Sequence, residues 1–191
     1  MFRRLRPKAA DSTDWIVTPR LYTIAPAGLS EADAWTIRGL RRRYHSKEEW
    51  RIVPHVTLIF GYDGLVEEEY VRHVQRVAAR LAPVCVTLTD AVAPEATDAE
   101  TNYVYLIAPG ADARLREMHA ALYQGALAPA LRHDLHYVPH LTVGCLYQRT
   151  EALALAKELN AKDLAIDVTI DRLAVYADTD SQYRLVKEIA L

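Results

Sequence analysis

Val53-Pro54-His55-Val56-Thr57-Leu58 and Val138-Pro139-His140-Leu141-Thr142-Val143 are two versions of one hexapeptide, set 85 residues apart. Each follows Val-Pro with a histidine, an aliphatic residue and a threonine, in β-branched surroundings that favour a strand. Successive strand residues point to opposite faces, so His55 and Thr57 share one face and Val56 and Leu58 the other. The same parity joins His140 to Thr142. Two matched strands that each present an imidazole and a hydroxyl to one side suit acid–base chemistry on a phosphate.

Reading outward from these strands, Ser30 caps a helix predicted to reach Arg43, with Asp33 at its third position. Its apolar stripe is spaced as Ala34, Ile37, Leu40 and Arg41. The His55 strand follows and ends at Gly61. Asp63-Gly64 turns the chain into a second helix over 67–81, which Pro83 stops. Strands are predicted over 84–92 and 101–108, joined by an acidic stretch at 94–100. A helix over 112–123 and a loop over 125–137 lead into the His140 strand. A helix over 151–159 and strands over 164–176 and 182–189, turned at Asp178-Thr179-Asp180, complete the chain. A strand over 15–25, interrupted at Pro19, precedes all of this. Each half therefore runs a helix into a histidine strand and follows it with another helix. The expected fold is α+β, one bilobal domain over 1–191. Its two pseudo-symmetric lobes, each a small antiparallel or mixed sheet with outer helices, would flank a central cleft.

Composition narrows the function. A hydrophobic fraction of 51% supplies a core, and a formal charge of −2 does not suit a surface built to coat nucleic acid. The basic start, Met1 to Lys8, has no apolar run behind it and reads as part of a flexible tail over 1–12, neither secretory signal nor anchor. Cys85 and Cys145 sit in apolar strand-like runs and read as buried thiols of a reducing compartment. A cytoplasmic monomer is expected, with no membrane and no DNA duplex among its partners.

These residues resemble the 2H phosphoesterases, the superfamily of the bacterial 2′-5′ RNA ligase-like proteins and the 2′,3′-cyclic nucleotide phosphodiesterases. Leu40-Arg41-Arg42-Arg43-Tyr44 and the segment from Pro54 to Phe60 resemble the first motif with its lead-in. The segment from Tyr137 to Val143 resembles the second, and Tyr183-Arg184-Leu185 the closing strand. One departure is visible: an arginine often follows the second motif in members acting on RNA 2′-phosphodiesters, whereas Gly144, Cys145 and Leu146 stand here. The resemblance implies a phosphodiesterase that opens 2′,3′-cyclic phosphates or related 2′-5′ linkages of nucleotides or RNA ends. It also implies His55 as acid and His140 as base, a hydrolase with a place in RNA processing.

The residues themselves explain how such a site would work. One neutral and one protonated imidazole can take and give the two protons that a phosphodiester exchange requires. Thr57 and Thr142 can donate hydrogen bonds to the non-bridging oxygens as charge develops. No cofactor or metal is needed by this scheme, and no Asp or Glu stands at ligand spacing beside either histidine. His45, His73, His119 and His133 read as structural or solvated, while His136 is placed to rim a cleft. Substrate contacts are expected from Tyr103 and Tyr105 on one strand face, and from Tyr62 and Tyr147, each seven residues after a motif histidine. Arg43 and Arg51 are expected to meet a phosphate, drawn from a cationic group that also includes Arg41, Arg42 and Lys47. The same four central residues would also serve a small nucleotide-derived metabolite diester, or a non-catalytic module that binds nucleotides or RNA ends.

Overall fold

Six of the seven strands of the main sheet run in an order that reads the same from either end once the two halves of the chain are exchanged. The computed structural model describes residues 19–45, 51–95, 101–179 and 183–191, together with the backbone of two paired dipeptides, β1 (Arg6–Pro7) and β2 (Trp15–Ile16). The expected tail apart from Arg6–Pro7, Lys47, positions 96–100 of the acidic stretch, Asp180 and Gln182 lie outside the described residues. The first half contributes β3 (Arg20–Pro26), α1 (Glu31–Tyr44), β4 (His55–Tyr62), α2 (Glu67–Ala78), β5 (Val84–Leu88) and β6 (Asp90–Val92). The second contributes β7 (Asn102–Ile107), α3 (Ala113–Leu122), β8 (Leu141–Leu146), α4 (Arg149–Asn160), β9 (Ile166–Ile170), β10 (Arg172–Asp178) and β11 (Tyr183–Ala190).

The seven-stranded sheet has the order β11-β10-β3-β4-β8-β7-β6, and every neighbouring pair is antiparallel. Exchanging β3 with β7, β4 with β8 and β6 with β10 reverses the six strands other than β11 onto themselves. The two lobes join edge to edge at β4 and β8, where the register pair is Val56 with Leu141, the residue after each motif histidine. A second pseudo-symmetric contact is the two-stranded sheet of β5 and β9, centred on Val86 opposite Val168. The architecture is thus α+β with antiparallel sheets, and both motif strands lie at its centre.

Two predicted strands divide, at equivalent places in the two halves. Residues 84–92 form β5 and β6 with a break at Thr89, and residues 164–176 form β9 and β10 with a break at Asp171. The buried positions show why. Val84, Val86 and Leu88 alternate, then the parity slips to Ala91; Ile166, Val168 and Ile170 alternate, then it slips to Leu173. At each slip the chain leaves the small sheet for the large one. Alternation also corrects the reading of Cys85, which lies between Val84 and Val86, is exposed and faces Thr169 across β9, while Cys145 is half-buried. The loop after α3 opens with a 3-10 turn, Gly125–Ala130.

The helices form where the sequence places them. Ser30 Oγ accepts the Asp33 N–H at 3.1 Å and donates to Asp33 Oδ2 at 2.8 Å, closing the first turn of α1. Three arginines end that helix, where the dipole favours positive charge. α1 packs on β8 and α3 packs on β4, so the central strand of each lobe is covered by a helix from the other half. α2 buries Tyr70, Val74 and Ala78, and Tyr70 shares a buried 2.9 Å hydrogen bond with Thr23. His73, expected to be structural or solvated, is buried there as well, bonded to the Leu122 carbonyl at 2.9 Å. Among the described residues no helix is long and apolar enough to cross a membrane.

Candidate active site

The two motif histidines are held by the same backbone device. His55 Nδ1–H donates to the Val53 carbonyl at 2.7 Å, and His140 Nδ1–H donates to the Val138 carbonyl at 2.7 Å. Pro54 and Pro139, with their fixed φ, set the intervening turn of chain. Because a carbonyl can only accept, the proton of each neutral ring sits on Nδ1, which leaves the Nε2 lone pair to do chemistry. Both rings are held neutral. Burial drives each pKa down to about 4; for His55 the charges of Arg41, His140 and His45 add to this, against a lift from the backbone bond.

Beyond each threonine the strand bulges at the same position. Ile24 pairs with Thr57 and Thr23 with Ile59, which leaves Leu58 as the extra residue; Tyr105 pairs with Thr142 and Val104 with Gly144, which leaves Val143. Both extra residues stand three places after the histidine. A bulge removes backbone groups from the ladder, and a buried group left unsatisfied would cost about 1–3 kcal/mol. Side chains from behind β4 satisfy them. His119 Nδ1–H donates to the Leu58 carbonyl at 2.8 Å, Tyr123 OH accepts the Phe60 N–H at 2.9 Å, and Tyr137 OH donates to the Thr57 carbonyl at 2.9 Å. The Tyr137 and His119 rings stack at 3.6 Å and 5°. Arg116 in turn donates to the Tyr137 carbonyl. In β8 the bulge faces α4, and a Cβ on Gly144 would meet Leu155 at 3.1 Å and Val104 at 3.3 Å. A large side chain there would press into the core instead of reaching the cleft.

A cleft of about 300 Å³ opens over these strands, lined by Arg41, His45, Ile52, His55, Thr57, Phe60, Tyr103, Tyr105, Thr142 and Tyr183. No carboxylate is among these lining residues, so the cleft favours an anion. His140 lies behind Tyr105, whose ring stacks on it at 3.6 Å and 16°, with Tyr103 stacked on Tyr105 at 6.0 Å. Burial raises the Tyr105 hydroxyl to about 12. Among the described residues no three His, Cys, Asp or Glu side chains form a group that could hold a metal.

Of the expected substrate contacts, Tyr103 and Tyr105 line the cleft. Arg51 is not on the lining, although its guanidinium lies 4.6 Å from the ring centre of Tyr183, which is. Tyr62, Tyr147 and Arg43 are not on the lining. Tyr62 packs over Gly64, Tyr147 is 84% exposed past the end of β8, and Arg43 leans on Tyr44 at 5.1 Å. His136 is exposed and also off the lining, as is His133.

Two cleft residues were read as something else. His45, taken for a structural or solvated loop residue, caps the C-terminus of α1, is buried and lines the cleft. Arg41, expected both in the apolar stripe of α1 and in the cationic group, is 2% exposed and donates from Nη2 to the Ile52 carbonyl at 2.8 Å. Its signal was present in the sequence, as a charged residue in step with the apolar stripe of α1.

The family model described as the 2′-5′ RNA ligase superfamily matches residues 29–182. A Geobacillus kaustophilus protein named "Putative phosphoesterase" is 27% identical over 134 residues, covering 69% of this chain and 73% of that protein. Among solved structures, Escherichia coli LigT in its apo form superposes with a TM-score of 0.58 at 19% identity, over 91% of this chain and 97% of LigT. Kluyveromyces marxianus Usb1 with uridine monophosphate gives 0.56 at 12% identity, over 92% of this chain and all of that one (100%).

Proposed function

Because this chain belongs to the 2′-5′ RNA ligase superfamily, we propose that it is a phosphodiesterase that opens 2′,3′-cyclic phosphates, or related 2′-5′ linkages, on nucleotides or RNA ends. Family membership supports phosphoesterase chemistry in general; the cyclic or 2′-linked substrate is the finer reading. LigT complexed with 3′-AMP and Usb1 with uridine monophosphate make a nucleotide the natural ligand class to test.

The observation that carries the reading is the matched pair of imidazoles, each locked through Nδ1 to the carbonyl two residues back. In hydrolysis of a cyclic phosphate, His140 Nε2 takes a proton from water as its oxygen bonds to phosphorus. The ring P–O bond breaks, and His55, protonated at Nε2, returns a proton to the departing ribose oxygen. Thr57 and Thr142 donate to the non-bridging oxygens as the phosphorus becomes five-coordinate. The resting pair holds no extra proton at neutral pH, so His55 takes one up from solvent as the substrate anion binds. A phosphate between the rings favours the imidazolium by Coulomb attraction, and Arg41 shares in holding that anion. No step in this scheme passes through a metal.

The experiment is turnover of 2′,3′-cyclic nucleotides by purified protein in the presence of EDTA, beside the His55→Ala, His140→Ala double variant. The wild type should hydrolyse them and the variant should not. Equal rates for the two proteins, or loss of wild-type activity with the chelator, would end the proposal.

A further inference from the structure

The residue three places before each motif histidine has its carbonyl held by an arginine of the preceding helix. Arg41 of α1 donates to the Ile52 carbonyl at 2.8 Å, and Arg116 of α3 donates to the Tyr137 carbonyl. Each helix lies over the motif strand of the other lobe, α1 on β8 and α3 on β4. Each arginine therefore ties the lead-in of one histidine to the helix that covers the strand of the other. Among the described residues the lobes share one register pair of the main sheet, Val56 with Leu141, so these ties bear on how far apart the two halves of the site stand.

The two braces differ in what else they do. Arg41 also lines the cleft, whereas Arg116 does not. Instead Arg116 Nη2 meets Asp112 Oδ2 at 2.6 Å, at the start of α3. A guanidinium held by a carboxylate on one side and a carbonyl on the other has its fork fixed in direction. The braced side chains differ too. Ile52 lines the cleft, while Tyr137 turns behind β4, where its hydroxyl donates to the Thr57 carbonyl at 2.9 Å. Its ring stacks at 3.6 Å on His119, one turn along α3 from Arg116. Tyr137 is thus gripped at its carbonyl, its ring and its hydroxyl, with Thr57 at the far end and His140 three residues on.

We propose that Arg116 and Tyr137 are positioning residues for the phosphodiester reaction: together they fix Thr57 and His140 relative to one another across the boundary between the lobes. The proposal rests on the phosphodiesterase reading and adds to it two residues outside the cleft that set its geometry. Neither is on the cleft lining, so both act through the groups they hold. Misplacing a reacting group by about 1 Å can cost about a hundredfold in rate. Loss of either brace is therefore read in kcat, while KM, which reports ground-state binding, stays nearly constant.

The test is steady-state kinetics on adenosine 2′,3′-cyclic phosphate. Arg116→Met and Tyr137→Phe should each lower kcat about tenfold or more and leave KM within about twofold. Should one variant fail to fold, the other carries the test. A smaller folded fraction would also lower kcat, so Tyr137→Phe is repeated in a Thr57→Val background. If Tyr137 acts by placing the Thr57 hydroxyl, its loss there should cost less than about threefold. Unchanged kcat in either folded variant, a rise in KM in place of the fall in kcat, or full multiplication of the two losses would overturn the proposal. Absence of wild-type turnover would count against the phosphodiesterase reading alone. The braces are then judged by crystal structures of the wild type and Tyr137→Phe, in which the distance from Thr57 to His140 should differ by about 0.5 Å or more. An unchanged distance would overturn them.

Discussion

The neutral histidine pair makes folding stability depend on pH in a way that two substitutions should erase. An ordinary histidine has a pKa of 6.5, whereas His55 and His140 are held down to about 4 in the folded protein. Below pH 6.5 the unfolded chain takes up protons that the folded chain refuses, so stability falls as pH falls, until the folded pKa near 4 is reached. At pH 5 the unfolded state has gained about 1.5 pH units of protonation per histidine and the folded state almost none. That amounts to about 2 kcal/mol each, or about 4 kcal/mol for the pair, as an upper figure because both rings keep some water contact. Against a total of roughly 5–15 kcal/mol, such a loss is easily measured. Asn at positions 55 and 140 offers its amide N–H to the Val53 and Val138 carbonyls and does not titrate. Urea denaturation at pH 7 and pH 5 should therefore show the wild type losing several kcal/mol more than the His55→Asn, His140→Asn variant. His119, whose pKa burial also lowers, is common to both proteins and cancels. Equal losses in the two proteins would refute the claim that these rings are held neutral.

The same pKa values predict that kcat/KM, which reports the free enzyme, falls about tenfold per unit from pH 5 to pH 8 on a cyclic phosphate; a bell centred near pH 7 would contradict them. Arg41→Met removes the buried cation from the cleft, and should raise KM about tenfold and shift the His55 titration upward by NMR, since Arg41 is one of the charges depressing it. Asn160 pairs with β6 as a strand would, its Oδ1 accepting the Ala91 N–H at 2.7 Å and its Nδ2 donating to the Ala91 carbonyl at 2.9 Å. Asn160→Ala should lower unfolding stability by about 2 kcal/mol with both bonds gone, read by thermal or urea denaturation.

The sequence exposed the parts of this fold that repeat at short range. Val-Pro-His-x-Thr shows its strand parity in five residues, and two copies announce two related halves. Ser30 and the stripe of α1 show a helix start in the same local way. Less visible was anything that depends on a slip of register. The alternation through Val84, Val86 and Leu88 carries the eye across Thr89, although the next buried residue, Ala91, is on the wrong parity for one strand. The equivalent slip after Ile170 hides β10 in the same manner. The bulges at Leu58 and Val143 have no composition signal, and the one at Leu58 decides that Phe60 reaches the cleft. The supports of the first bulge, His119, Tyr123 and Tyr137, lie more than 60 residues from it in sequence, so only the folded chain shows what they hold. Spacing pairs Tyr62 with Tyr147, but a second register shift in β4 sets Tyr62 opposite Leu21, level with Leu146 opposite Asn102, and neither tyrosine lines the cleft.

The way α1 crosses onto β8 while α3 crosses onto β4 bears on how such a molecule could have come to exist. Cut the chain between its halves, and each piece keeps a central strand whose covering helix has gone with the other piece. A half-length polypeptide with this wiring would leave part of its central strand uncovered. Two copies would cover it, each clasping the other, with Val56 and Leu141 meeting where the two chains touch. The linker over 93–101 would then have needed only to tether partners already embraced, and once tethered they were at liberty to diverge: one free to keep a tyrosine over its histidine, the other to set an isoleucine in the matching place.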